Sequence, residues 1–529
     1  MIKVARSSLL LFILLTAFLL SVPDQVSAAW SSEIRLTTSP NLDSFPSIAQ
    51  VNNGNIWVAW ETKASTSFSV YYRIYNGTTW LTPRALPKDF HQSSNRTTPF
   101  LMQTRNGTVW LFYSEKNVTG PYGSYYDIVY KQTNNYGLSW SETFYVTDSY
   151  YVPGDRYNNE APSVVEALNG DIWVFWQRVV LPGPPPHREI FYKIMHEDSW
   201  SSEFQLTNFP SYVSINSPSV VQAKNGAIIV FWSADIDSNN YEIKYQTYDG
   251  VSWGSVEDLT SSTSLLDSDP AALLARTGAI WVIWELQDST NPADGGNLFY
   301  TSSDDNGNTW APTSQLTFSV DGSFNGQPSL AQGSERRIWV AWTSKRGDNF
   351  DIYYKISDQL LYHDVAISGI SLSKTSPYQG ADVQVTVNAT NKGDFPETLT
   401  VECYVNQTLI GTQTTSLQGG NSALIVFPWV TSSFAPGRYY IKATVNQVPN
   451  ENSINLGDNT RTNDPILLRI PGDVNADGEV DIQDLSRLNL ALGARPGNSN
   501  WDQECDINEN NIIDVEDLYI LGSNYGRAV

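Results

Sequence analysis

The sequence predicts a mainly β chain in three parts: a six-bladed β-propeller closed by its own N-terminal strand, an Ig-like β-sandwich, and a small α-helical module of duplicated calcium loop-helix repeats. Three observations predict it. An apolar-aromatic strand motif returns six times between residues 53 and 342. The stretch 363–470 changes to short strands of alternating polarity. Near the C-terminus an Asp/Asn-rich pattern occurs twice, 33 residues apart. Composition agrees, with 12% aromatic and only 16% charged residues, a mixture that favours strands and turns.

Residues 1–29 read as a secretory signal peptide. Lys3 and Arg6 precede an apolar run from Leu9 to Val22, and small residues follow at Ala28 and Ala29, the charge, core and exit of a secretory leader. No later segment approaches the roughly 20 apolar residues of a bilayer span. The expected destination is secreted, extracellular or attached to a cell surface.

Residues 30–360 carry the repeat. NGNIWVAW (53–60) returns as NGTVWLFY, NGDIWVFW, NGAIIVFW, TGAIWVIW and ERRIWVAW, with strand ends 53, 63, 56, 52 and 58 residues apart. A Pro-containing strand precedes each copy (FPSIAQ, TPFLMQ, APSVVE, SPSVVQ, DPAALL, QPSLAQ), a Tyr-rich strand follows, and then, in most copies, W…LT. Four short strands with an Asn-Gly turn describe a meander sheet, and six at this period describe a propeller. The last copy lacks its W…LT strand, whereas WSSEIRLT (30–37) matches WSSEFQLT (200–207). The N-terminal strand is therefore expected to complete the sixth sheet and remove an exposed edge.

This strand order puts the Asn-Gly turns and SSDDNGNTW (302–310) on one face. The 2–3 loops and the crossovers, where sites concentrate, lie on the other. The crossovers are expected to contribute His91, Arg96, Asp155, Arg156, Glu160, Asp267 and Asp269. The 2–3 loops are expected to contribute Glu61, Glu115, Arg178, Asp235, Glu285, Lys345 and Arg346. Glycoside cleavage needs two carboxylates flanking the bond. Glu160 and Asp269, expected at equivalent positions two units apart, are the candidate catalytic pair; the alternative reading is a pair of solvated loop carboxylates. Arg96, Arg156, Tyr157, Arg178 and Arg346 are the candidate substrate-binding residues, and Tyr122 and Tyr125 could add sugar-stacking faces.

SSDDNGNTW, with Ser303, Asp305, Gly307, Thr309 and Trp310, resembles the Asp box of sialidases and related propellers, and the likeness extends over roughly 30–360. That resemblance implies the fold. Sialidases open their first repeat with Arg-Ile-Pro; here the opening is DSFPSI (43–48) with no Arg before Pro46, so the sialidase triad is not carried over and sialidase activity is not expected.

About seven strands between 363 and 470 read as a sandwich. NATNKG, FPW, GRYYIKATVN and GDN in this stretch resemble the CARDB family of extracellular adhesion-related modules. That implies a spacer or interaction module, and a plain β-sandwich linker is an equal reading.

Residues 471–529 hold 12 Asp/Glu against 3 Arg. DVNADGEVDIQD (473–484) sets Asp473, Asn475, Asp477, Asp481 and Asp484 at loop positions 1, 3, 5, 9 and 12, with Gly478 at 6 and the Glu479 carbonyl at 7. DINENNIIDVED repeats this with Asp506, Asn508, Asn510, Asp514 and Asp517, Asn511 at 6 and the Ile512 carbonyl at 7. Such oxygen cages suit calcium, so two Ca2+ ions are expected, and clustered carboxylates predict that the module orders only with metal. Position 12 is Asp, and a helix follows each loop without one before it. The pattern resembles a type I dockerin, which implies a cohesin-type domain or cell-surface scaffold as partner, with contacts at Ile482, Gln483, Val515 and Glu516.

The formal charge of −23 argues against nucleic acid, which needs a basic surface. Cys403 and Cys505 fall in different predicted modules, so no disulfide framework is expected. Six sequons occur, at Asn76, Asn95, Asn106, Asn117, Asn388 and Asn406. Two functions remain open: a glycoside hydrolase or polysaccharide lyase acting on complex carbohydrate, and a non-catalytic glycan-binding or adhesion protein.

Overall fold

The computed structural model describes residues 29–89, 95–116, 125–148, 156–181, 187–210, 213–235, 240–261, 265–288, 295–319 and 323–529. The expected leader, His91, Tyr122, Asp155 and the side chain of Arg156 lie outside the described residues.

Among the described residues, antiparallel sheets of four or five strands repeat through the N-terminal two thirds, two of them joined by a single parallel pairing of Tyr241 with Leu266. Their first strands are Leu42–Gln50, Arg96–Gln103, Arg156–Glu166, Ser214–Gln222, Leu265–Leu274 and Phe324–Gln332. Each packs against the next, and the sixth packs against the first, so the units run in a ring. The sixth unit takes its outer strand from Ile34–Arg35, paired with Tyr353 and Tyr354.

Three repeated devices hold neighbours together. The Trp of each fourth-strand segment packs on the aromatics of the preceding unit: Trp140 on Trp57 and Tyr72, Trp200 on Tyr130, Trp253 on Trp173 and Tyr192, Trp310 on Phe231 and Tyr245. Trp80 does so on Trp339 and Tyr354 of the sixth unit, and Trp30 on Trp281 and Tyr300 of the fifth. The Pro-Ser hydroxyls of Ser47, Ser163 and Ser219 accept the amides of Leu101, Val220 and Ala272 on the next unit, and Ser329 accepts that of Ile48, sixth to first. At the strand ends Gln103, Glu166, Gln222 and Gln332 accept amides of the preceding turns.

Five threonines at the ends of fourth-strand segments are fixtures of the sheet, four of them after Leu and Thr147 after Val146. Thr37, Thr147, Thr207, Thr260 and Thr317 accept the third-strand amides of Ile352, Ile128, Ile190, Ile243 and Leu298. Four of them donate in turn to Asp351, Asp127, Glu189 and Glu242. Those acids are thereby satisfied inside their own sheets, as buried polar groups must be.

The next module places two sheets around one core. Val365–Leu372, Asp382–Asn391 and Ser422–Val430 form one; Thr408–Leu417, Glu397–Val405, Ile441–Val445 and Thr460–Thr462 form the other. Val385, Phe427, Trp429, Leu399, Cys403 and Ile441 fill the space between them. The Cys403 thiol is buried, and burial pushes it up to about 12. This sandwich sits against the turn face of the ring. Lys224 bonds Asn455, Arg336 pairs with Asp394, and the Arg336 guanidinium lies 5.2 Å from the Tyr362 ring centre.

The C-terminal module has helices α1 (Ile482–Ala491) and α2 (Val515–Asn524). It is pseudo-twofold: Ile513 exchanges backbone bonds with Gly493 and Ala494, and Val480 does so with Gly526 and Arg527. Its core is not self-contained, because Tyr378 of the sandwich is buried in it. Among the described residues no helix is long and apolar enough to cross a membrane.

Candidate functional site

Every first strand of the ring bends at one residue before its proline. Phe45, Thr98, Ala161, Ser217, Asp269 and Gln327 all have φ between 47° and 54°. The register of the first two strands slips at each of these points. A non-glycine side chain in this conformation costs energy unless its surroundings fix it. Here a bulge repeated around the ring lines a central cavity of about 750 Å³.

The bulge exposes an amide that the ladder does not use. Second-strand side chains of the preceding unit accept it: Glu61 from Thr98, Gln177 from Ser217, and Thr343 from Phe45. Glu285 accepts that of Gln327. Glu285 also sits so close to Gly326 that a Cβ there would lie 2.0 Å from its carboxyl oxygen.

At this end of the ring a cavity of about 400 Å³ is lined by Glu61, Glu160 and Asp269, by Gln177, Asn216 and Ser217, and by Phe45, Phe68, Tyr126 and Tyr241. Glu160 and Asp269 are thus brought to one cavity. They are not at equivalent positions as expected: Glu160 pairs opposite Gln177 and precedes the bulge, whereas Asp269 is itself the bulge residue, one place after Ser268. Both lie on strands, as do Glu61 and Glu285. The expected loop carboxylates are strand carboxylates.

Burial raises all four carboxyl groups. The Glu61 carboxyl is held up by burial against the Thr98 amide and Ser44 hydroxyl, with Glu160 adding repulsion. Glu160 is raised by burial, offset by Arg188 and Gln177. Asp269 is raised by burial and steadied by the Ser217 hydroxyl. Glu285 is raised furthest, by burial and then by the charge of Asp269. Desolvation and like charges favour the protonated form.

Of the arginines expected to bind substrate, the three with described side chains do not converge. Arg96 is buried, donating to Glu115 at 2.9 Å and to the carbonyls of Leu86 and Pro87. Arg178 donates to Asn159 at 2.8 Å and Glu203 at 2.7 Å, with its guanidinium 4.9 Å from the Tyr157 ring centre and 4.2 Å from that of Phe191. Arg346 pairs with Glu33 and stacks 4.0 Å from the centre of Tyr353. These groups hold sheets together. The cavity residues the sequence reading missed are Phe45, Phe68, Gln177, Ser217, Tyr126 and Tyr241; position in the repeat, next to each X-Pro step, was the available signal.

The Asp-box turn lies at the other end of its sheet, where Ile280 pairs with Ser303 while Glu285 pairs with Leu298. Asp305 accepts from the Thr309 amide (2.8 Å) and hydroxyl (2.6 Å) and from Ser303, and Gly307 takes φ 90°.

A second site is built from the C-terminal loops. Oxygens of Asp473, Asp477 and Asp484 lie within 4.8 Å of one another. Asp484 accepts from the amides of Val474, Asn475 and Asp481, and Asp481 caps α1 in a capping box with Asp484. Positions 9 and 12 are therefore also the helix start. The second loop repeats this: Asp517 accepts from Ile507, Asn508 and Asp514, and Asp514 caps α2. Asn475 and Asn508 accept the amides of Asp477 and Asn510, and Asn510 that of Ile512. Gly478 (φ 93°) and Asn511 (φ 67°) take the left-handed turn at position 6. Buried Asp473 Oδ1 has no hydrogen-bond partner. An orphaned, buried carboxylate oxygen facing two further carboxylates fits a hard divalent cation. Ile482, Gln483, Val515 and Glu516 are all exposed beside the loops.

Residues 363–463 match the family model described as CARDB, and residues 471–524 match that of the dockerin type I domain. No curated protein matches the chain. A crystal structure of a protein of unknown function from Dyadobacter fermentans DSM 18053 covers 63% of this chain and 99% of its own, at 15% identity and a TM-score of 0.52. An α-L-arabinanase from Penicillium chrysogenum covers 62% of this chain and 98% of its own, at 14% identity and a TM-score of 0.44. The Hadza microbial sialidase Hz136 covers 60% and 65%, at 14% and 0.43. The first likeness concerns fold alone, and the other two carry no argument.

Proposed function

We propose that the chain is a secreted modular protein of extracellular carbohydrate metabolism: a six-bladed propeller engages complex glycan, the sandwich spaces it, and a calcium-loaded dockerin attaches it to a cohesin-type domain or surface scaffold. The observation that carries the attachment is the orphaned Asp473 Oδ1 inside a loop repeated 33 residues later, together with the dockerin family match. Asp473, Asn475, Asp477, Asp481 and Asp484, with the Glu479 carbonyl, would hold one Ca2+. Asp506, Asn508, Asn510, Asp514 and Asp517, with the Ile512 carbonyl, would hold the second. The ion supplies the positive charge that lets clustered carboxylates share one turn. Ile482, Gln483, Val515 and Glu516 then form the contact surface. An immobilised cohesin domain should capture the full chain in calcium and release it on chelation. Absence of capture, or capture that survives chelation, refutes this reading.

In the propeller the carboxyl pair Glu160 and Asp269 supports glycoside hydrolysis. Glu160, whose carboxyl burial raises, would donate a proton to the leaving glycosidic oxygen; Asp269, accepting from the Ser217 hydroxyl, would serve the opposite face of the sugar as base or nucleophile. The second reading is binding without cleavage, favoured by the aromatic walls of the same cavity. Polysaccharide depolymerisation by the full chain, lost in Glu160→Gln and Asp269→Asn with binding retained, supports the hydrolase; binding without product in the parent chain supports the second reading. Export is tested by the N-terminal sequence of protein recovered from culture medium, expected to begin near Trp30.

A further inference from the structure

The mouth of the ring is more acidic than its fold requires. Accepting a bulge amide is a duty that Gln177 and Thr343 discharge without charge. Glu61 and Glu285 do the same work with carboxyls that burial penalises, and Glu160 and Asp269 add two more beside them. Among the described residues no Lys or Arg lines this cavity. Two described cations act on its carboxyls from outside the lining: Arg188, which donates to Ser214 at 3.4 Å, and Lys63, whose ammonium lies 5.4 Å from the Phe68 ring centre. Arg96, Arg178 and Arg346 are committed elsewhere.

An anionic sugar entering here meets carboxyls whose ionised forms repel it, with Arg188 and Lys63 acting on them from outside the lining. A neutral one brings no counter-charge to the lining. A sugar with a free amino group supplies it, and aromatic faces such as those of Phe68, Tyr126 and Tyr241 attract both an ammonium and the apolar face of a sugar ring. We infer that the mouth cavity recognises an amino-sugar unit, its ammonium set among Glu61, Glu160 and Asp269 and its ring against the aromatic wall. This rests on the reading of the ring as the glycan-engaging part.

The groups facing the bound ammonium are those three carboxyls and the Tyr126 and Tyr241 hydroxyls, with Glu285, Asp235, Arg188 and Lys63 behind them. Burial favours the protonated forms of these carboxyls and a bound ammonium favours the ionised ones, so binding is expected to be coupled to proton release. Titration calorimetry of the full chain in calcium, with oligoglucosamines, the same oligomers N-acetylated, and oligogalacturonates, tests this. The free amines are expected to bind roughly tenfold or more tightly than their acetylated forms, the scale of a charge-assisted hydrogen bond, with proton release read from buffers of different ionisation heat. Glu160→Gln and Asp269→Asn should erase the preference in protein whose calcium-dependent melting shows it folded. Equal or tighter binding of acetylated or acidic oligomers overturns the inference and leaves the glycan reading standing. Absence of binding by every oligomer overturns both.

Discussion

Arg469 Nη1 donates to the backbone carbonyl of Asp473 at 3.1 Å, so the last residues of the sandwich hold the first ligand loop of the C-terminal module. The same guanidinium donates through Nε to Ser376 at 2.9 Å, pairs with Glu504 and stacks 4.1 Å from the centre of Tyr378. Tyr378 in turn donates to the Glu504 carbonyl at 2.7 Å inside the module's core. Sandwich and C-terminal module are therefore one packing unit at this junction.

Replacing Arg469 by Ala removes bonds from three buried or half-buried acceptors at once. The expected loss is about 2 kcal/mol of stability, with weaker calcium affinity in the first loop and little change in the second. Calcium titration followed by thermal unfolding of the full chain measures both. Equal calcium affinity in both loops of Arg469→Ala would show that the junction does not support the site.

Ring closure rests on residues 251 to 281 positions apart. Trp30→Ala removes a ring packed at 5.9 Å from Tyr300 and 6.5 Å from Trp281 and should cost about 2–4 kcal/mol. Ser329→Ala, which loses only the bond to the Ile48 amide, should cost about 1 kcal/mol. Denaturant unfolding of the two variants should preserve that order.

Asp364 is buried in the sandwich at its seam with the ring, and its carboxyl is pushed up to about 6 by burial and by Asp458 and Glu451, against the pull of Lys224 and Lys392. A raised carboxyl is protonated in the folded chain and ionised in the unfolded one between the two values. Its contribution to stability therefore rises as pH falls from above 6 towards 4. Asp364→Asn should stabilise the chain by about 1 kcal/mol at pH 7.5 and have almost no effect at pH 4. Melting curves at the two pH values decide it.

Asp305→Ala cuts the Thr309 and Ser303 bonds of the Asp-box turn and should cost about 1–2 kcal/mol. Burial raises this carboxyl, but its hydrogen bonds win and hold it below the ordinary value. The turn's contribution is thus present at neutral pH and is lost as pH falls through the folded value. Since the turn lies at the far end of its sheet from the mouth cavity, glycan binding should be unchanged. A binding defect would relocate the site.

Much of this was legible in one dimension because the physics is periodic. The Pro strand, the Asn-Gly turn, the Trp and the Leu-Thr pair recur because each unit must solve the same problem of stitching its sheet to its neighbours, and WSSEIRLT had to close the ring because the sixth copy lacked that piece. The calcium loops were readable because one turn supplies all the ligands. The arginines misled: a sequence shows that Arg96, Arg178 and Arg346 exist, but not that Glu115, Glu203 and Glu33 occupy them.

By itself, then, the sequence determined the repeat, the closing strand, the sandwich and the cation loops, since these follow from local pattern and chain order. Only the tertiary structure decided which carboxyls share a cavity. Glu61, Glu160 and Asp269 come from three different units and meet because six bulges turn inward together. It likewise decided that Tyr378, 95 residues before Asp473, completes the C-terminal module's core. Convergence of distant residues depends on how whole sheets pack, and no short window of sequence carries that.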